Sequence, residues 1–224
     1  MQAYGYDRES SEFTIFHMKR TLRLLAQIPQ VERIHLIAHS RGTDVVVSAL
    51  RELVIETVAA RQNPHERLRI HNVILAAPDL DVEVLIQRSA AERLSAYIAR
   101  LTIYTTREDK AIGLAELVFG SIIRLGRAGA NNLATASPSA AATAKNIALV
   151  EYTGDRTGAF GHDYFRTNRA VVADMVLAIL GDRQPGAAEG RPLKHLGGVF
   201  WQLDDSYSAR VEALCKEHRD LCQH

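Results

Sequence analysis

Apolar positions along the chain follow two spacings, one typical of helices and one of short buried strands. Over residues 13–28 they recur at helical spacing until Pro29, which predicts an amphipathic helix. Residues 33–38 form a short apolar run that predicts a strand. Residues 43–60 are too continuously apolar for an exposed helix, so they predict a helix packed against a sheet.

The same alternation of strand and helix continues along the rest of the chain. Further strands are predicted at residues 72–77, 101–106 and 146–152, and further helices at 82–99, 111–125, 164–180 and 208–218. Residues 126–144, rich in Ala, Gly, Ser and Asn, predict a loop that is either a flap over a site or a plain surface excursion. This order predicts an α/β fold: a mainly parallel sheet with helices on both faces. Functional residues are then expected just past the carboxyl ends of strands.

A length of 224 residues suits a single hydrophobic core. We expect that core to span residues 1–182. Residues 183–224 predict an irregular tail, because Pro185, Gly186 and Gly190 interrupt any regular pattern. The apolar residues of the tail fit either packing on the domain or an oligomer contact.

Composition excludes several classes of protein. The 47% hydrophobic and 24% charged residues are near the averages of soluble globular proteins, and no apolar run is long enough for a transmembrane segment. A formal net charge of +1 does not indicate a nucleic-acid partner. The opening residues show neither the basic start nor the apolar run of a signal peptide. Cys215 and Cys222, bridged or free, have no spacing typical of a metal site.

The turn after the first predicted strand reads Ala38-His39-Ser40-Arg41-Gly42 and leads directly into a helix. A serine in such a turn is held in a strained conformation that presents its hydroxyl to solvent. Small residues stand two positions before and after Ser40, and we expect bulkier ones to clash with the neighbouring strand and helix. The alternative is an ordinary loop that happens to contain a serine, but the placement favours a nucleophile.

The residues beside Ser40 are candidates for the rest of a hydrolytic site. The backbone amide of Arg41, in the first turn of the helix, can stabilise a developing oxyanion. His39 is expected to line the substrate pocket or to pack beneath it. A serine needs a base to take its proton, usually a histidine that a carboxylate orients.

Two places offer the carboxylate. Asp109 follows the strand predicted at 101–106, and Asp79 and Asp81 follow the strand at 72–77. We favour Asp109, because in this class of site the order along the chain is serine, acid, histidine. Helix capping is the alternative for all three aspartates. Asp79 remains a candidate for shaping the substrate pocket.

His162 is the predicted base. It lies in a glycine-bracketed loop, Gly158 to Gly161, after the strand at 146–152 and just before a helix. Its order and placement fit a histidine that reaches a serine across the sheet edge. The alternative is a surface histidine.

Five segments in this order carry a family resemblance: Ile37 to Thr43, Leu75 to Asp81, Glu108 to Ala111, Arg124 to Gly126 and Gly161 to Phe165. Over residues 5–182 the sequence resembles a largely bacterial family of α/β hydrolases, domain of unknown function 900, related to esterases and lipases. The resemblance implies an α/β hydrolase fold and a Ser40–Asp109–His162 triad. It implies no cofactor and no metal, and it supplies no substrate.

The start of the chain departs from that pattern. An α/β hydrolase normally has several strands before the nucleophile, one followed by a loop that supplies a second oxyanion amide, and residues 1–32 contain neither. Three explanations of the missing strands are open: the chain is a fragment, a partner chain completes the sheet, or a shortened fold persists. We favour an N-terminally truncated fragment. The nucleophile strand would then lie at a sheet edge, which predicts homo-oligomers and weak hydrolysis.

The predicted activity is hydrolysis of a carboxylic ester, as in esterases, lipases and thioesterases, on a small-molecule or lipid substrate. Two alternatives stay open. One is a non-catalytic interaction domain derived from a hydrolase. The other is an acyltransferase that uses the same triad with an alcohol acceptor.

Overall fold

The structure is a computed structural model that describes residues 2–78, 94–106, 146–154 and 164–217. The chain forms two compact units, Met1–Leu101 and Thr102–His224, and the boundary falls inside a strand.

The first unit alternates helices with parallel strands. Its elements are α1 (Gln2–Gln27), β1 (Ile34–His39), α2 (Gly42–Ala59), α3 (Pro64–Leu68), β2 (Ile70–Ala76), a 3₁₀ turn (Leu94–Tyr97) and the beginning of β3 (Arg100–Thr106). β1 and β2 pair in parallel, from Ile34 opposite Ile70 to His39 opposite Ala76. Their carboxyl ends therefore meet at one edge, as the sequence predicts.

The core of the first unit lies between α2 and the strands. The apolar face of α2 is buried, and β2 is buried along most of its length, with Leu75 and Ala76 fully inaccessible. Ile15 of α1 packs with Val45 and Ala49 of α2. This is the helix packed against a sheet that the continuous apolar run predicts. It gives the turn before α2 a rigid support.

β1 is less protected than β2. Among the described strands it pairs with β2 alone, and Ile37 in its middle is 53% exposed. An edge strand is the part of a sheet to which another chain can add a strand. The homo-oligomer predicted through this edge stays a prediction.

Asn63 and Pro64 do more than interrupt a helix. Asn63 Oδ1 accepts a hydrogen bond from the His65 amide at 3.1 Å, and Pro64 takes the first helical position of α3. Both residues are typical of a helix start, so the predicted break is the beginning of another short helix.

The second unit contains most of β3 and a set of shorter elements. These are β4 (Ile147–Tyr152), α4 (Tyr164–Thr167), α5 (Arg169–Ile179), β5 (Gln184–Pro185), β6 (Gly190–Arg191), β7 (Lys194–Gly197), β8 (Phe200–Leu203) and α6 (Tyr207–Glu217). The strand order here is β3-β4-β8-β7. β8 runs parallel to β4, β7 runs antiparallel to β8, and β5 and β6 form a separate parallel pair. The predicted α/β class with a mainly parallel sheet is confirmed.

Two predictions for this unit are wrong in detail. The helix predicted at 164–180 is broken at Asn168, whose side chain accepts hydrogen bonds from the amides of Ala170 and Val171 and so caps α5. Residues 184–203, expected to be irregular, form four short strands, while the helix predicted at 208–218 is present as α6. A boundary between residues 182 and 183 stays a prediction.

A buried ionic cluster ties these later elements to the rest of the unit. Asp174 of α5 accepts hydrogen bonds from Arg191 Nε at 3.0 Å, Arg191 Nη2 at 2.7 Å and the hydroxyls of Tyr104 and Tyr207. All four side chains are 0% exposed. Burial, and then the charge of Asp174, raise the pKa of Tyr104 well above its usual value, so its hydroxyl stays protonated and donates. Burial alone would lower the pKa of Arg191, but Asp174 outweighs it and raises the pKa.

Two further findings concern the described residues only. None of their helices is long and apolar enough to cross a membrane. Cys215, in α6, is disulfide-bonded.

Candidate active site

Ser40 sits at the junction of β1 and α2 in a left-handed backbone conformation, with φ 52°. Four other described non-glycine residues share a positive φ. Arg61, Arg69 and Asp182 lie just past helix ends, where this conformation is common, and Ala77 follows β2. Ser40 is unlike the first three because it opens a helix rather than ending one. A left-handed residue with a side chain is disfavoured by about 1–2 kcal/mol, so the surrounding structure must hold it there.

Hydrogen bonds on both sides of Ser40 fix this conformation. Its amide donates to the Ala76 carbonyl at 3.2 Å, which ties the turn to β2. Its carbonyl accepts from the Thr43 amide at 3.0 Å and from the Thr43 hydroxyl at 2.6 Å. Thr43 is fully buried in the first turn of α2. The serine is thus fastened to the strand before it and to the helix after it.

Arg41 is the N-terminal cap residue of α2, with helical φ −60° and ψ −25°, and its side chain makes no capping hydrogen bond. Amides at a helix N-terminus point outward and carry partial positive charge, which favours an anion there. The Arg41 amide is therefore in the correct element to stabilise an oxyanion. His39 and Ser40 are both half-buried, so neither is enclosed in the core.

The reason predicted for small residues on either side of Ser40 holds at one position only. Ala38 is 5% exposed, so a larger side chain there would displace core neighbours. A Cβ atom at Gly42, however, would meet no described atom within 4 Å other than its chain neighbours and its own helix backbone. The described residues therefore give no clash at Gly42, which is the first residue of α2.

The other predicted site residues lie outside the described residues. Asp79 and Asp81 come shortly after Ala77 and Pro78 in the sequence, where the described part of the first strand pair ends. Asp109 follows β3 and His162 follows β4, and these two strands are neighbours in the second unit. The triad and the pocket role of Asp79 therefore remain predictions.

A glycine at position 40 tests whether the serine conformation is strained. We expect Ser40→Gly to raise the free energy of unfolding by up to about 1 kcal/mol, because glycine adopts positive φ without steric conflict. Urea unfolding followed by circular dichroism measures this. Ser48→Gly is the matched control within α2, and it should destabilise by about 0.5 kcal/mol because glycine weakens a helix interior. Equal destabilisation by both variants would contradict a strained Ser40.

Comparison with known proteins identifies the family of this chain. The model of the family described as "Alpha/beta hydrolase of unknown function (DUF900)" matches residues 1–183. The chain belongs to this family. No curated protein and no solved structure shows significant similarity to the chain.

Membership of the DUF900 family confirms the resemblance carried by the motifs and the α/β hydrolase fold. It indicates hydrolysis as the general class of reaction. The match ends at residue 183, so β5 to β8 and α6 all lie beyond it.

Sequence reasoning missed one residue that supports the candidate nucleophile turn, Thr43. Its position three residues after the serine places its hydroxyl on the Ser40 carbonyl, a local bond that threonine commonly makes in the first turn of a helix. The spacing Ser-x-x-Thr at a strand-to-helix turn was the available signal. Within the described parts of the chain, no group of three or more His, Cys, Asp or Glu side chains could hold a metal ion.

Proposed function

We propose that this chain is a serine hydrolase of carboxylic esters with Ser40 as its nucleophile. The observation that carries the proposal is the left-handed Ser40 between a parallel strand and a buried helix. Strain of this kind persists only where neighbouring structure enforces it, and it concentrates at functional sites. Membership of the family supports hydrolysis as the general reaction. The strand-to-helix turn at Ser40 favours a mechanism in which a serine hydroxyl attacks the substrate.

The proposed reaction begins with attack of Ser40 Oγ on the ester carbonyl carbon. His162 takes the hydroxyl proton as the oxygen–carbon bond forms, and Asp109 orients the imidazole. The Arg41 amide donates a hydrogen bond to the oxyanion. His162 then gives the proton to the departing alcohol, and the acyl group stays on Ser40 until water, activated by the same histidine, releases the acid.

His39 and Asp79 are proposed to line the substrate pocket. His39 immediately precedes the nucleophile, and Asp79 follows β2, whose last residue pairs with His39. His39 is therefore next to Ser40 at the end of β1, and Asp79 comes three positions after Ala76 in the sequence. The proposed substrate is a small-molecule or lipid ester.

Labelling with a fluorophosphonate tests the proposal directly. The probe reacts only with a serine that a base has activated, so we expect a single adduct on the peptide that contains Ser40. His162→Ala should prevent labelling, because the proton acceptor is lost. A folded wild-type protein that shows no adduct, or an adduct that His162→Ala leaves unchanged, would overturn the proposal.

A further inference from the structure

Three side chains meet at the carboxyl end of β4, in the second unit. The hydroxyl of Tyr152, the last residue of β4, donates to Asp205 Oδ1 at 2.5 Å. The same hydroxyl accepts a hydrogen bond from Asn168 Nδ2 at 2.7 Å, and Asn168 Nδ2 lies 3.5 Å from Asp205 Oδ1. Tyr152 is only 4% exposed, so its hydroxyl is held in place by the packing of its ring.

Hydrogen bonds between Thr153 and β8 reinforce the contact between Tyr152 and Asp205. The Thr153 amide donates to the Leu203 carbonyl at 2.9 Å, and Gln202 Nε2 donates to the Thr153 hydroxyl at 2.8 Å. Gly154 then passes so close to Asp205 that a Cβ atom on it would lie 2.3 Å from Asp205 Oδ1 and from the Tyr152 hydroxyl. Residues 152–154 are thus fixed to the segment that contains Asp205.

Asn168 connects the same carboxylate to α5. While its Nδ2 contacts Tyr152 and Asp205, its Oδ1 accepts from the amides of Ala170 at 2.9 Å and Val171 at 3.1 Å. The start of α5 is therefore held at the position set by Asp205. Residues 155–163, which include His162, connect the two attached ends.

We propose that Asp205 is a positioning residue for His162, because it holds together the two chain segments that flank the histidine. This inference rests on the proposed function. In this role Asp205 acts through Tyr152, Gly154 and Asn168. In this proposal β8, which lies beyond the part of the chain that matches the family, helps to position His162.

The neighbouring Asp204 offers a matched control. Its carboxylate binds Lys194 Nζ at 2.5 Å, Arg210 Nη1 at 2.8 Å and the Ser206 hydroxyl at 2.6 Å. These partners all lie within residues 194–210. Burial raises its pKa, but the hydrogen bonds from Lys194, Ser206 and Arg210 outweigh this and hold the pKa well below its usual value. Asp204→Ala should therefore disturb the fold of this segment without touching the attachments of Tyr152 and Asn168.

The test compares D205A, D205N and D204A by p-nitrophenyl ester kinetics and by hydrogen exchange of the peptides that cover residues 155–163. We expect D205A to lower kcat by about tenfold to a hundredfold with KM changed by less than about twofold, since small displacements of a catalytic group reduce turnover to this extent. D205N retains the acceptor oxygen and should recover most of the lost kcat. D204A should lower the thermal midpoint while kcat stays near the wild-type value.

Hydrogen exchange separates this inference from the proposed function. Faster exchange over residues 155–163 in D205A but not in D204A supports the positioning role. Unchanged exchange, an unchanged kcat in D205A, or an equal loss of kcat in D204A would overturn it. A D205N variant as slow as D205A would also overturn it, because it would assign the effect to charge. A wild-type protein with no activity and no probe adduct, yet with faster exchange in D205A, would overturn the proposed function while leaving the attachment itself in place.

Discussion

Replacing Ser40 with alanine is expected to reduce ester hydrolysis by a factor on the order of 10⁴ to 10⁶, because loss of the nucleophile removes covalent catalysis entirely. The remaining rate would reflect only binding and oxyanion stabilisation by the backbone. Initial rates of p-nitrophenyl acetate hydrolysis, measured at matched protein concentration, give this ratio. The fold should survive, since the Ser40 backbone and not its hydroxyl makes the hydrogen bonds to Ala76 and Thr43.

Ser48→Ala provides the control for this prediction. Ser48 lies on the same helix, α2, and its hydroxyl donates to Asp44 at 3.2 Å. Its removal should leave hydrolysis near the wild-type rate. A Ser40→Ala protein that hydrolyses the ester as fast as the Ser48→Ala protein would refute Ser40 as the nucleophile.

The second large effect is on stability. Asp174→Ala should lower the free energy of unfolding by about 3–5 kcal/mol, since it leaves the buried Arg191 guanidinium without its counter-charge. It also removes the acceptor of the Tyr104 and Tyr207 hydroxyls. Urea unfolding followed by far-ultraviolet circular dichroism is the measurement.

Two further variants make this result specific. Lys194→Ala removes an ion pair whose lysine is 52% exposed, and it should change stability by less than about 1 kcal/mol. Replacing both buried partners, as Asp174→Leu with Arg191→Met, should recover much of the loss, because neither charge is then left alone in the core. A loss for Asp174→Ala no greater than for Lys194→Ala would show that the buried pair contributes little.

The parts of the fold that could be predicted are those with long, regular apolar patterns. α2 and β1 are each long enough for the spacing of their apolar residues to identify them as a helix and a strand. The turn at Ser40 could then be recognised, because it lies between a predicted strand and a predicted helix. β5 and β6 have two residues each, which is too short for any alternation to show. Their partners are set by tertiary pairing that local sequence does not encode.

The candidate site was predictable to a similar degree. Ser40 and Arg41 are fixed by local structure, so sequence could place them. The attachment of Tyr152 to Asp205 joins residues far apart in the chain, and neither residue belongs to a recognisable motif. The apolar pattern of residues 164–180 predicts Asn168 within a helix, although asparagine favours helix starts and caps α5 in the structure. Asp109 and His162 rest on chain order and stay predictions.

The location of Arg191 bears on how this protein should be produced and dissected. A recombinant fragment cut at the family limit, residue 183, would retain Asp174 but discard the guanidinium that neutralises it and the parallel neighbour of β4. Such a fragment would present a lone carboxylate inside apolar surroundings, and poor yield from it would reveal nothing about catalysis. Expression vectors, homologue libraries and chimaeras built on this domain should therefore extend at least through α6.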